Sequence, residues 1–172
     1  NQILLGSILG DASLIIPNMK VALTTKGKPR VHNARLVEAH SIKQEEYLLW
    51  KIRNLPYSFK THCSNKNDGT GNFHPTIEAW TPCLEELTNY RHQFYSNDKK
   101  DVRKMISSLE LLGLAVWWMD DGSYGDPCFL ATQNYGFDGS CIVQDWLKEK
   151  GVDCIVDHAY DKGNNWKLRF RA

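Results

Sequence analysis

The 172-residue sequence has no apolar run long enough to cross a membrane. Its apolar opening, Ile3 to Leu9, is far shorter than the ~20 residues of a spanning helix and leads straight into Asp11. That opening also lacks the charged flank and small-residue cleavage site of a signal peptide, so the chain reads as soluble and intracellular, with no membrane partner. The five cysteines (Cys63, Cys83, Cys128, Cys141, Cys154) contain no C-x-x-C pair, and their odd number fits a disulfide framework poorly. They read as reduced thiols, mostly in the core. The six histidines never fall at the spacing of a tetrahedral zinc site, which argues against zinc. A large net charge is missing too: the formal value is +1, without the strongly basic balance of a typical nucleic-acid binder.

What charge there is lies unevenly. Residues 1–100 carry 13 Lys/Arg against 9 Asp/Glu, and residues 101–172 carry 8 against 11, so the first part is basic and the second acidic. Lys20, Lys26, Lys28, Arg30 and Arg35 share a stretch without an acid between Asp11 and Glu38. No segment is both weakly hydrophobic and highly charged, so the whole chain is expected to fold.

Along the chain, Ile3 to Gly10 is apolar and punctuated by glycine, compatible with a buried helix or strand on periodicity alone. Ala12 to His40 is rich in β-branched residues around Lys26-Gly27-Lys28-Pro29 and predicts two strands joined by a loop. Ser41 and Gln44 predict a capping box, followed by Tyr47, Leu48, Ile52 and Leu55 at helical spacing. Tyr57 to Cys63 and Phe73 to Trp80 predict a second hairpin around the loop Ser64 to Gly71. Thr81-Pro82 then predicts the start of a helix carrying Leu84, Leu87, Arg91 and Phe94 on one face. Residues 97–103 are polar and read as a connection. After it, Ser107 with Glu110 predicts another capped helix, Leu111 to Met119, ended by Gly122. Cys128 to Asn134 predicts a strand, residues 142–147 a helix, and Val152 to His158 a strand paired with Trp166 to Arg171.

The second part therefore repeats the first: α-β-β-α-β-β-α over residues 1–97, a linker at 98–106, and the same order over 107–172 without the last helix. Leu4 to Ala12 and Leu114 to Gly122 share one design, an apolar helix ending in a carboxylate and a small residue. One copy reads most simply as a core helix; two copies point to chemistry. The C-terminus of a helix carries partial negative charge, so a carboxylate there is disfavoured by roughly 0.3–1 kcal/mol. If the two helices pack together, Asp11 and Asp121 converge with the carbonyls of Gly10 and Asp120, and such a set of hard oxygen donors calls for a divalent cation, Mg²⁺ foremost.

These two motifs resemble the paired LAGLIDADG signatures of homing endonucleases encoded within mobile introns, in the single-chain form, and the resemblance covers nearly the whole chain. It implies an α+β fold of two pseudo-symmetric αββαββα halves packed through the motif helices. It implies a monomer that cuts both strands of a long, asymmetric duplex DNA site by metal-dependent phosphodiester hydrolysis, leaving short 3′ overhangs. Asp11 and Asp121 would be catalytic metal ligands, supported by Gly10 and Asp120. In Phe94 to Lys100, Lys100 best matches a basic residue that approaches the active site. Mg²⁺ is the implied cofactor, with Mn²⁺ substituting and Ca²⁺ binding without supporting cleavage. The family's strands lie over the major groove, where alternate side chains face DNA. On that pattern Trp166, Leu168 and Phe170 would face the helices, and Lys167, Arg169 and Arg171 the DNA. Lys20, Lys28, Arg30, His32 and Arg35 are the candidates from the first half, and Gln133 and Asn134 from the second. The alternatives are a maturase on the same fold, binding intron RNA to assist splicing, and an α+β interaction domain with two chance motifs. The implied setting is organellar (mitochondrion or chloroplast) or the prokaryotic cytoplasm. Ala12 stands where the family usually has glycine.

Overall fold

Asn1 starts the first helix of the computed structural model: its side-chain oxygen accepts from the N–H groups of Ile3 and Leu4 at 3.0 and 3.3 Å. The structure describes residues 1–17, 33–67, 69–158 and 165–170. In chain order the elements are α1 (Gln2–Leu9), β1 (Ser13–Ile15), β2 (Arg35–Ser41), α2 (Glu45–Arg53), β3 (Lys60–Asn67), β4 (Phe73–Trp80) and α3 (Glu85–Phe94). Then come β5 (Tyr95–Ser96), β6 (Lys99–Lys100), α4 (Val102–Met105), α5 (Leu111–Asp121), β7 (Gly122–Ser123) and β8 (Phe129–Ala131). The last are α6 (Gly136–Glu149), β9 (Cys154–His158) and β10 (Trp166–Phe170). Two antiparallel sheets share one strand order, β1-β2-β4-β3 and β7-β8-β10-β9, so the duplicated α+β pattern is present in the topology itself. Among the described residues no helix is long and apolar enough to cross a membrane.

The chain forms two compact units, which do not coincide with the sequence halves: residues 12–92 make one, and residues 1–11 with 93–172 make the other. In the first, β2 alternates: Leu36, Glu38 and His40 are buried while Arg35, Val37 and Ala39 are half-exposed. Helix α2 lays Leu48 against Ile77 and Ala79 of β4, with Ile42, Ile52 and Phe59 around them. Beside this apolar core sits a buried charged group. Lys51, with no exposed surface, pairs with Glu38, and His40 lies 2.9 Å from Glu38 and 3.1 Å from Lys51. Charges so enclosed persist only when paired and hydrogen-bonded.

The other unit packs α1 on α5, and places α6 against β9 and β10. Every residue from Ile3 to Leu9 is buried, which explains why this helix shows no polar stripe. In β10 the alternation is as expected: Leu168 has no exposed surface, Phe170 meets Trp118 edge-on at 5.1 Å, and Trp166 packs on Phe137 at 4.8 Å.

Several local expectations are corrected. Ser41 caps a 3₁₀ turn, Ile42–Gln44, that precedes α2. Thr81 caps no helix; its buried hydroxyl accepts from the Leu36 N–H at 3.0 Å and α3 starts at Glu85. Ser107 lies in a 3₁₀ turn, and α5 has no side-chain cap of its own. Gln2 serves instead: its amide donates to the Ser108 carbonyl and accepts from the Glu110 N–H, both at 2.9 Å. The polar connection at residues 97–103 holds the turn of a short hairpin, β6 and the start of α4. All five cysteines are free, but only Cys154 is buried, and Cys63 and Cys83 are exposed.

Candidate metal and nucleic-acid site

Helices α1 and α5 approach closely because glycine stands at the contacts. A Cβ on Gly6 would lie 2.3 Å from the Gly113 carbonyl oxygen, and one on Gly10 would lie 2.5 Å from the Asp120 Cβ. No side chain fits there, so the backbones meet directly and the two helix ends are brought level. Gly122 ends α5, as the sequence suggests. Its backbone is extended, and what excludes a side chain is the Trp118 carbonyl, 2.3 Å from where a Cβ would stand.

At this junction the Asp11 N–H donates to the Asp120 carboxylate at 3.3 Å, and the two carboxylates come within 4.8 Å of each other. Asp121 accepts from the Trp117 indole N–H at 3.1 Å. Burial, then the charge of Asp11, raises the Asp121 carboxyl to about 6; the Trp117 hydrogen bond and the Lys100 charge oppose that rise, and Asp120 adds to it. A carboxyl held up by desolvation and by like charge is a site in need of a cation. Tyr135 closes the inner side, edge-on to Trp117 at 5.9 Å, with its hydroxyl donating to the Leu9 carbonyl. Burial, then the Asp121 charge, pushes that phenol well above its usual range, so it remains a donor.

Lys100 reaches the same junction from β6, where its ammonium donates to the Gly10 carbonyl at 2.6 Å. The β5–β6 hairpin aims it. Asn97 and Asp98 both have positive φ, 49° and 62°, the signature of a two-residue type I′ turn that Asn and Asp tolerate. Asp101 anchors the base, accepting from the Ser96 hydroxyl at 2.9 Å while its own N–H donates to the Phe94 carbonyl at 2.8 Å. The structure therefore brings Asp11, Asp120, Asp121, Gly10 and Lys100 together. The Gly10 carbonyl, expected as a metal donor, is already shared with Lys100.

Beside Asp121, the sheet of β7 to β10 borders a cavity of about 420 Å³ lined by Ser123, Phe129, Gln133, Asn165 and Lys167. The Lys167 ammonium lies 3.7 Å over the Phe129 ring, and Arg169 pairs with Asp157 at 3.2 Å, both on the face away from Leu168. Arg35 is half-exposed on the face of β2 opposite the core. Gln133 and Asn134 are corrected: they are exposed on a 3₁₀ turn after β8, not on a strand, because Thr132 turns inward to bond Ser140 at 2.7 Å. Lys20, Lys28, Arg30, His32 and Arg171 lie outside the described residues.

Sequence reasoning missed three features. The Asp120 side chain is one, Trp117 with Tyr135 another. The third is a polar face on β3 and β4, where Lys60, His62, Ser64 and Lys66 pair with Trp80, Glu78, Thr76 and His74, opposite the face that carries Ile77 and Ala79. Its signal was the polar run from Lys60 to Lys66, broken only by Cys63.

Comparisons with known proteins now bear on this arrangement. Protein RecA of Mycolicibacterium flavescens is 32% identical over 125 residues, which are 72% of this chain and 26% of that protein. The chain thus spans about a quarter of that relative's length. A solved structure of the homing endonuclease I-WcaI bound to its DNA recognition sequence superposes with a TM-score of 0.74 at 21% identity, covering 98% of this chain and 74% of that one. I-DmoI in complex with DNA and Mn gives 0.57 at 16% identity, over 99% and 88%. These likenesses show the fold. The model of the LAGLIDADG DNA endonuclease family matches residues 1–172, and the chain belongs to that family.

Proposed function

We propose that the protein is a site-specific, monomeric endonuclease that hydrolyses one phosphodiester in each strand of duplex DNA with a divalent metal, leaving short 3′ overhangs. The observation that carries the reading is the meeting of Asp11, Asp121 and Lys100 at the paired ends of α1 and α5. Each sequence half, residues 1–97 and 107–172, supplies one of the two acids, so a single chain carries both.

The donor set fits a hard cation: carboxylates of Asp11 and Asp121, with the Asp120 carbonyl oxygen as a supporting donor, while the Gly10 carbonyl, the other expected donor, accepts from Lys100. Bound there, Mg²⁺ or Mn²⁺ would lower the pKa of a bound water and stabilise the leaving 3′ oxygen, while Ca²⁺ would bind without supporting cleavage. The remaining roles are the chain's own. Trp117 orients the Asp121 carboxylate through its indole N–H. Asp120 fixes the Asp11 backbone. Lys100, held against the Gly10 carbonyl, places a positive charge where the phosphate accumulates negative charge, which stabilises the transition state more than the ground state. Lys167, Arg169 and Arg35, with Lys20, Lys28, Arg30, His32 and Arg171, would meet phosphates and base edges across the sheets. I-WcaI and I-DmoI, similar in fold, were solved with DNA, and I-DmoI with Mn.

Selection of cleaved sites from a randomised duplex library in Mg²⁺ tests the reading. One recovered long, asymmetric site, lost with Asp11→Asn and Asp121→Asn, is the expected result; wild-type cutting rates in both variants would overturn the assignment.

A further inference from the structure

Gln133 and Asn134 leave the sheet, so they are poorly placed to read base edges from a strand, and what they line is a second cavity. It has a volume of about 450 Å³ and lies between the β5–β6 hairpin, α4 and the 3₁₀ turn before α6. Lys99, Lys100 and Arg103 border it from one side, Gln133 and Asn134 from the other. One acid, Asp101, borders it too, but its oxygens are engaged by the Ser96 hydroxyl at 2.9 Å and by the Arg103 N–H at 3.2 Å. Arg103 makes a long contact with Asp138, 3.9 Å between two exposed groups, an interaction weak enough to be exchanged for a better anion.

Two residues join this cavity to the carboxylate junction. Lys100 borders the cavity and bonds the Gly10 carbonyl, next to Asp11; Gln133 lines both this cavity and the one beside Asp121. A strand whose scissile phosphate sat at the carboxylates would run on into a pocket bordered by three cations and two neutral amides. We infer that this cavity binds a backbone phosphodiester of the DNA strand adjacent to the one being cut, with Lys99 and Arg103 as its charged contacts and Gln133 and Asn134 as hydrogen-bond donors. The inference rests on the endonuclease reading and deepens it. It makes the pocket an anchor that sets the strand's register without regard to sequence, since phosphate contacts position and base contacts specify.

The test compares the wild type, a Lys99→Ala/Arg103→Ala double variant, and a charge-matched Lys148→Ala/Lys150→Ala control altered at the far end of α6. Affinity for the selected duplex is measured in Ca²⁺ across a salt series, and each protein's base preferences are profiled on the randomised library. The pocket variant should show a slope of log affinity against log salt that is shallower by about 1 to 2, the release expected for one or two phosphate contacts, with unchanged base preferences. The control should keep the wild-type slope. An unchanged slope in the pocket variant, or relaxed preference at any one base position, overturns the inference. No duplex binding by the wild type itself would instead overturn the endonuclease reading beneath it.

Discussion

Asp121→Asn should make the metal-free protein more stable while destroying its activity. The Asp121 carboxyl moves from 3.8 to about 6 in the folded chain. Between those values the native state holds a proton that the unfolded state has lost, so stability falls as pH rises through the window and the full penalty is present above about 6. At about 1.4 kcal/mol per pH unit the shift corresponds to roughly 3 kcal/mol, an upper bound that solvent at this partly exposed side chain reduces to about 1–2 kcal/mol. Asparagine carries no charge to desolvate or to repel Asp11, and its oxygen can still accept from Trp117. In EDTA at pH 7.5 the variant's Tm should exceed that of the wild type by roughly 2–8 °C, and the gap should shrink to about half at pH 5. Mg²⁺ should narrow it from the other side, by stabilising the wild type more than the variant. Differential scanning calorimetry at both pH values, with and without Mg²⁺, reads all three effects. A variant less stable than the wild type at pH 7.5, or a gap that ignores pH, would refute the claim that Asp121 is strained by burial and by Asp11.

Gly6→Ala forces a methyl group into the Gly113 backbone, and although alanine favours helix, the overlap should dominate and cost about 2–3 kcal/mol in urea denaturation. Lys51→Met leaves Glu38 buried beside His40 without its cation and should cost about 3–5 kcal/mol, most of which Lys51→Met/Glu38→Leu should restore. Lys100→Met should lower the single-turnover cleavage rate about 100-fold while affinity for the duplex in Ca²⁺ stays within about threefold, since its contribution is to the transition state. A matching loss of affinity would make Lys100 a binding residue instead.

The repeat was legible because it is written in patterns local to each segment: two apolar helices ending in Asp11 and Asp121, each followed by a strand pair. Gly6 and Gly10, four residues apart, are the sequence's trace of the close packing that the structure shows there. Features built by residues distant in the chain were not legible. Gln2 caps α5 across more than a hundred residues, which left Ser107 and Glu110 as the only local, and misleading, candidates. Glu38 and Lys51 are thirteen residues apart on different elements, and only the fold of β2 against α2 pairs them. Thr81 carries a capping residue's chemistry, but its hydroxyl is taken by β2. Gln133 and Asn134 extend an apolar run, so periodicity assigned them to the strand; the Thr132–Ser140 bond that ends it joins residues eight apart and has no sequence signature. At the junction, the convergence of Asp11 and Asp121 was an expectation from the two motifs and Lys100 one from the resemblance, whereas Asp120 entered only through its backbone carbonyl.

That α1 belongs with α5 has a consequence for how the protein is made. About a hundred residues separate the two helices, and at roughly 5–20 residues per second the ribosome takes about 5–20 s to deliver the partner after the first helix has emerged. Over that interval α1, apolar all round, has its mate still unsynthesised, and residues 12–92 are free to fold first. The carboxylate junction therefore cannot form before α5, which ends at Asp121, has been made.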